Sequence, residues 1–271
     1  MSIVADWRWG FSSLVKNRRL LMEMTRRDMT DRYAGNVLGT AWAVIHPLAL
    51  ILIFVFIFSV VFKVKAQVIG GVPTDHTAYM ISGLIPWLVA ADVLSRGPGI
   101  ITTHAALVKQ VVFPIEILPV KVVLASLPTL VVGTAGLIVY MLWTYGSIGP
   151  AFLLYPLAAV ILYVFLIGAA FALSAAGVFL RDVKDFIQLF VLIGLYAAPI
   201  FYYMDWLPEA ARPFIYINPF TTFIEMFHDA AYYAGIRDYG LWLGGVAWSI
   251  ASLLLGVTVF HRSKHQFGSF L

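Results

Sequence analysis

The side chains able to do chemistry form few groups in this 271-residue chain. His261 and His265, in HRSKH, have the i, i+4 spacing at which two imidazoles share one helical face and can share a metal. Two ligands do not complete a site, and the neighbouring Arg262 and Lys264 make the stretch read as a basic tail. Glu225, His228 and Asp229, in EMFHD, show the E-x-x-H spacing of carboxylate-bridged metal centres. Such a centre needs a second copy of the pattern, which the sequence lacks, so these residues are expected on a polar surface at the outer membrane face. No metal site is assigned. Asp92 stands one turn before Arg96 in otherwise apolar sequence, where an i, i+4 ion pair accounts for both.

Other chemistries fail on residue type or spacing. There is no G-x-x-x-x-G-K-[ST] phosphate loop, no H-E-x-x-H and no serine in G-x-S-x-G. The chain has no cysteine, which removes disulfides, thiolate metal sites and cysteine nucleophiles. No catalytic residue is assigned, and ATP hydrolysis by the P-loop route is excluded for this chain.

The elements that hold these residues are apolar. Hydrophobic residues make up 61% of the chain and charged residues 12%, where soluble domains carry roughly a quarter. Mean hydropathy is +0.89. This is the composition of an all-α integral membrane protein. The first long apolar run begins only in the forties, so no cleaved signal peptide is expected. Basic residues are spread beside the apolar runs, a distribution that favours membrane orientation over nucleic-acid binding.

A bilayer core of about 30 Å needs about 20 apolar residues per helix. Six spans are predicted: Leu38 to Phe62, Tyr79 to Ser95, Ile117 to Tyr140, Phe152 to Leu180, Phe186 to Tyr203 and Tyr239 to Phe260. The fifth is the shortest and carries Gly194 and Pro199. Fourteen of the eighteen Lys and Arg residues fall on the side of the N-terminal segment, the second-to-third and fourth-to-fifth loops and the tail. The positive-inside rule then places both termini in the cytoplasm.

Before the first span, Trp7, Phe11, Leu14, Val15, Met22 and Met29 fall near one helical face, with Lys16, Arg19, Glu23 and Arg27 off it. The pattern fits a helix lying on the inner leaflet. It equally fits a helix packed on protein. Within the spans, Phe54, Phe58 and Phe62 recur at i, i+4, i+8, and Tyr196, Phe201, Tyr202 and Tyr203 crowd the end of the fifth. Phenylalanine suits lipid and tyrosine the interfacial belt. Alternatively, rings facing a pore offer flat faces on which sugars slide. Secondary transporters bury several charges in their spans, and these spans are nearly bare of them.

Four motifs add a resemblance. RRDMTDRYAGNVLGTAWAVIHPL resembles the R-D-x-x-x-R-Y, L-G-x-x-W, proline element that leads into the first span of ABC-2-type permeases exporting bacterial surface polysaccharides. LVKQVVFPIEILPV resembles that family's K-x-x-x-F-P-x-E-x-L-P element. FLRDVKDF resembles its fourth-to-fifth loop and APIFYYMDWLPEAARPFIYINPF its outer segment. Their order and spacing cover nearly the whole chain.

The resemblance implies a six-span ABC-2 transmembrane domain over 35–271, preceded by a cytoplasmic amphipathic interface segment over 1–34. It implies a homodimer in the bacterial inner membrane with two copies of a separate ABC ATPase subunit. That partner binds ATP and Mg, this chain holds no cofactor, and a lipid-linked glycan is exported. The loop from Gly97 to Val112 maps to the coupling helix that docks into the ATPase, with Ile100, Ile101, Leu107 and Val108 supplying an apolar face around Thr103, His104 and Lys109. The first and fifth spans line the channel, which favours the pore reading of Phe54, Phe58, Phe62, Tyr196, Phe201, Tyr202 and Tyr203. Arg27, Asp28, Arg32, Tyr33 and Trp42 mark where a lipid-linked substrate first meets the protein. Between the fifth and sixth spans the family folds two short re-entrant helices as an outer gate. Pro208 and Pro219 suit their first positions, Asn218 a cap, and Glu225 lies on the second. The alternative within the family is export of a small hydrophobic drug or lipid. A membrane-embedded enzyme would need clustered acids or histidines at one interface.

Overall fold

A computed structural model of the protein describes residues 12–62, 67–69, 72–109, 113–233 and 235–271. Trp7, Arg8, Phe11, Lys63, Lys65 and the end of the coupling loop at Val112 lie outside the described residues.

Helix α1 spans Arg18–Asp31. The chain then turns through Gly35 at φ +83° and Gly39 at φ +51°, left-handed angles that only glycine adopts without strain. α2 (Trp42–Val55) follows and continues as a π-helical segment, Phe56–Val61. The strands β1 (Gln67–Ile69) and β2 (Val72–Thr74) pair antiparallel as a small hairpin. α3 (His76–Arg96) leads into the short helices α4 (Ile100–Thr103) and α5 (Ala105–Val108). α6 (Ile117–Leu124), α7 (Leu127–Tyr145), α8 (Tyr155–Phe179) and α9 (Val183–Ala197) come next. The last elements are α10 (Arg212–Ile217), α11 (Pro219–Ala231), α12 (Tyr239–Ser263) and α13 (Phe267–Phe270).

Among the described residues, five helical stretches are long and apolar enough to cross a membrane: Gly39–Val61, His76–Thr103, Ile117–Tyr145, Pro150–Phe179 and Tyr239–Phe270. They coincide with five of the six predicted spans. The expected fifth differs. α9 has 15 residues, which at 1.5 Å per residue reach about 22 Å, short of a bilayer core. It stops because Pro199 forces Ala198 into extended backbone at ψ 151°, and the chain from Ala198 to Tyr203 is irregular.

α3 is the centre. Of its most apolar window 83% is buried, against 11% for the first span and 22% for the last, so the other helices are arranged around it. The most extensive packing is between α8 and α12. A side chain at Gly168 would meet the backbone of Ser252 and Leu253, and one at Gly256 the carbonyl of Gly168. Bare glycines let these backbones touch, which is how helices associate where lipid supplies no hydrophobic drive.

α1 packs on α6, burying Leu21 and Thr25, and Thr25 donates to the Leu21 carbonyl at 2.8 Å. The face turned to the protein runs through Leu21, Thr25 and Asp28, and Val15 and Met22 are exposed.

Candidate functional site

Candidate residues gather in three places, and the first is the basic end of the bundle. Arg96 pairs with Asp92 at 2.6 Å, as the i, i+4 spacing predicts, and also reaches Asp28 of α1 at 2.9 Å. Arg32 bridges the same two acids, at 3.3 Å to Asp92 and 3.8 Å to Asp28. Lys121, on α6 and almost fully buried, adds a contact of 3.1 Å to Asp28. Five side chains from α1, its C-terminal extension, α3 and α6 thus form one network. Sequence reasoning counted Lys121 only as an orienting cation. Its position among Val120, Val122 and Val123, one helical turn from Ile117, is the signal of burial. A cavity of about 540 Å³ opens beside the network, lined among others by Arg32, Tyr33, Trp42, His46 and Asp92. Arg27 is exposed on the far side of α1.

His104 joins this network to the coupling segment. Its Nε2 lies 2.9 Å from Lys121 Nζ and its Nδ1 3.0 Å from the Ile100 carbonyl. An ammonium only donates, so Nε2 accepts and Nδ1 carries the hydrogen given to Ile100. Burial, with the Lys121 charge beside it, lowers the imidazole pKa and keeps this neutral tautomer. The apolar residues expected on a docking face are turned the other way. Ile100, Ile101 and Val108 are buried in the protein's own core and Leu107 is half-buried, while Thr102, Thr103, Ala106 and Lys109 are exposed. The apolar character of this loop is explained by packing under α8 and α6.

The second place is an aromatic row. Phe58 and Phe201 are stacked face to face, centroids 4.8 Å apart and planes 2° from parallel. Phe54 lies 4.9 Å, and Tyr196 5.9 Å, from Phe201; Phe62 lies 5.6 Å from Phe58. Five of the seven predicted aromatics therefore form one row between the first span and the chain after α9. The other two diverge. Tyr202 donates to the Ala197 carbonyl at 2.7 Å, and Tyr203 is buried, 3.0 Å from the Tyr232 hydroxyl.

The third place is the end opposite the basic network. Asn218 caps α11, accepting from the Phe220 N–H at 3.1 Å, with Pro219 at the first position as expected. Pro208 does not open a helix. It sits in a turn closed by the Ala211 N–H, and Pro213 occupies the first turn of α10. The expectation of a polar surface for EMFHD is overturned. Glu225, His228 and Asp229 are all buried, because α11 lies wholly inside the bundle against α3. Arg237 offsets the two carboxylates: it pairs with Glu225 and, at 2.7 Å, with Asp229. Trp242 donates to Asp229 at 3.0 Å, and His228 Nδ1 lies 3.5 Å from Glu225.

A buried central helix, apolar helices around it, glycine contacts between them and paired charges at both ends define a multi-pass helical membrane protein. The chain belongs to the ABC-2 type transporter family, whose model matches residues 19–232. It is 28% identical over 265 residues to an O-antigen export system permease protein, RfbA, of Klebsiella pneumoniae, covering 93% of this chain and 95% of that protein. It is 25% identical over 260 residues to an O-antigen export system permease protein, RfbA, of Myxococcus xanthus, covering 94% and 96%. It is therefore a membrane transport subunit homologous to O-antigen export permeases.

Proposed function

We propose that this chain is the membrane half of an ATP-driven exporter of a lipid-linked polysaccharide. It works in the inner membrane as a homodimer, with both termini cytoplasmic, powered by two copies of an ABC ATPase that bind ATP and Mg. The aromatic row carries this reading. It lies where the first span, left almost uncovered, meets the chain just after α9, a helix whose Phe186, Leu189, Leu192, Ile193 and Tyr196 are exposed. A second copy set against these open faces would enclose the row as a pathway lined by flat rings. Rings of this kind hold sugars weakly and exchangeably, which suits a sliding polymer.

In this arrangement α9 with the residues up to Tyr203 completes a sixth span, and α10 and α11 re-enter from the outside as a gate. The network around Arg32 and Asp28, with its adjoining cavity and Trp42, is where the lipid-linked substrate approaches. Thr102, Thr103, Ala106 and Lys109 form the surface offered to the ATPase, and Lys121 passes its movement to α1. ATP biases the pathway only by binding one arrangement of the ATPase pair more tightly.

The test is deletion of the gene in its source bacterium, with the surface glycan examined on gels and the complex purified through a tag on this chain. Loss of long-chain surface glycan and co-purification of an ABC ATPase are expected. Unchanged glycan with an ATPase present points to the alternative cargo, a small drug or lipid. An active chain purified without an ATPase overturns the subunit reading.

A further inference from the structure

Tyr79 is fully buried at the start of α3, wedged between three elements. Its ring stacks on His228 of α11 with centroids 3.8 Å apart, lies 4.4 Å from the Tyr203 ring and meets Tyr232 edge-on at 5.2 Å. Its hydroxyl reaches the chain where α9 has just ended. Oη is 3.0 Å from the Pro199 carbonyl oxygen and 3.0 Å from that of Tyr202. Both carbonyls lie beyond the last residue of α9, in the irregular stretch that the helix ladder cannot support. A phenol has one hydrogen, which these two acceptors share. Between them sits Phe201, the ring that faces both Phe54 and Phe58.

We infer that Tyr79 is a positioning residue for the aromatic row. Its single hydroxyl pins the backbone on both sides of Phe201 and so sets the angle at which that ring is presented along the pathway. The inference rests on the pathway reading above, yet its geometric core is independent of what is transported. The buried ring supplies rigidity, because stacking on His228 and packing on Tyr203 fix where the hydroxyl can point. Losing the hydroxyl leaves two carbonyls without this donor in an apolar setting, and the stretch then re-orients to find others. Tyr79→Phe isolates the effect, since the ring and its packing are kept.

The chain has no cysteine, so a pair introduced as Phe58→Cys and Phe201→Cys is unique within it. Bridging of this pair by a short bismaleimide, read as linked peptides by mass spectrometry on the full complex in membranes, reports the alignment directly. Tyr79→Phe should lower bridging at least about fivefold, the shift expected from one lost buried hydrogen bond. Tyr79→4-aminophenylalanine, whose amine donates to both carbonyls, should restore it. Unchanged bridging in Tyr79→Phe, or no restoration by the amine, overturns the inference. If Tyr79→Phe does not accumulate, Tyr79→3-fluorotyrosine, a stronger donor of nearly the same size, replaces it; raised bridging supports the inference and unchanged or lowered bridging overturns it. Bridging needs no glycan, so surface glycan measured in the same cells tests the export reading separately.

Discussion

Lys121 Nζ lies 3.1 Å from Asp28 Oδ1, tying the last turn of α6 to the last turn of α1. Among the described residues Lys121 pairs with no other carboxylate, whereas Asp28 also receives Arg96 and Arg32. Replacing one partner of a buried pair leaves the other charge stranded, which costs more than the pair contributes. Asp28→Ala is therefore expected to destabilise the protein by about 3 kcal/mol. The double variant Asp28→Ala with Lys121→Met should recover part of that loss. Thermal unfolding in detergent of the two single variants and the double variant checks the coupling.

His104 gives this network a pH dependence. Its pKa is lowered from the ordinary value of 6.5, so the folded protein binds fewer protons there than the unfolded chain once the pH falls to that value. Stability is full above about pH 6.5 and declines as acid protonates the ring, which breaks its acceptance from Lys121. Hydrogen exchange of residues 100–109 should quicken as pH falls through this window beyond the intrinsic change in rate. His104→Gln, which keeps an acceptor and a donor without titrating, should flatten the response.

Phe201→Ala removes the ring shared by Phe54, Phe58 and Tyr196. Each aromatic pair contributes roughly 0.5 to 1.5 kcal/mol beyond its buried area, so the row loosens while the fold holds. Export of surface glycan should slow with normal yield of the complex. Unchanged glycan would place the row outside the transport pathway.

Arg237→Met strands Glu225 and Asp229, both almost fully buried. The expected loss is about 3 kcal/mol at neutral pH. Burial raises the Glu225 pKa and Arg237 lowers it, so without that cation Glu225 takes up a proton more readily and the deficit should shrink as pH falls. The difference in melting temperature between variant and parent, followed from pH 8 to pH 5, checks the sign.

The membrane spans were the most legible part of the sequence, because length and apolar content alone decide whether a helix crosses a bilayer. Five matched, and α9 departed where Pro199 sets local backbone geometry against a continuous apolar run. Between the last two spans a helix start was legible where a cap adjoined: Asn218 and Pro219 open α11, whereas Pro208 had no capping neighbour and lies in a turn. Burial of charge was not legible. EMFHD reads as polar surface, yet Arg237, eight residues beyond Asp229, makes its burial tolerable, and no local pattern announces that pairing. The apolar residues of the coupling segment misled in the opposite sense, since Ile100 and Ile101 serve the core. The hydroxyl of Tyr79 reaches carbonyls 120 and 123 residues away, a relation that spacing cannot encode.

The π-helical stretch Phe56–Val61 closes with the Phe62 N–H on the Ile57 carbonyl, a hydrogen bond spanning five residues rather than four. A helix wound this way holds about one residue more than an α-helix between the same flanks. The first span thus carries slack. Release of that residue into the following stretch would rotate everything before it by about 100° and advance it by about 1.5 Å, with every hydrogen bond re-formed one position along. Phe58 would leave the face of Phe201 by such a slip without the helix ever unfolding. A single-residue deletion within Phe56–Val61 would fix the span permanently in the α-helical winding.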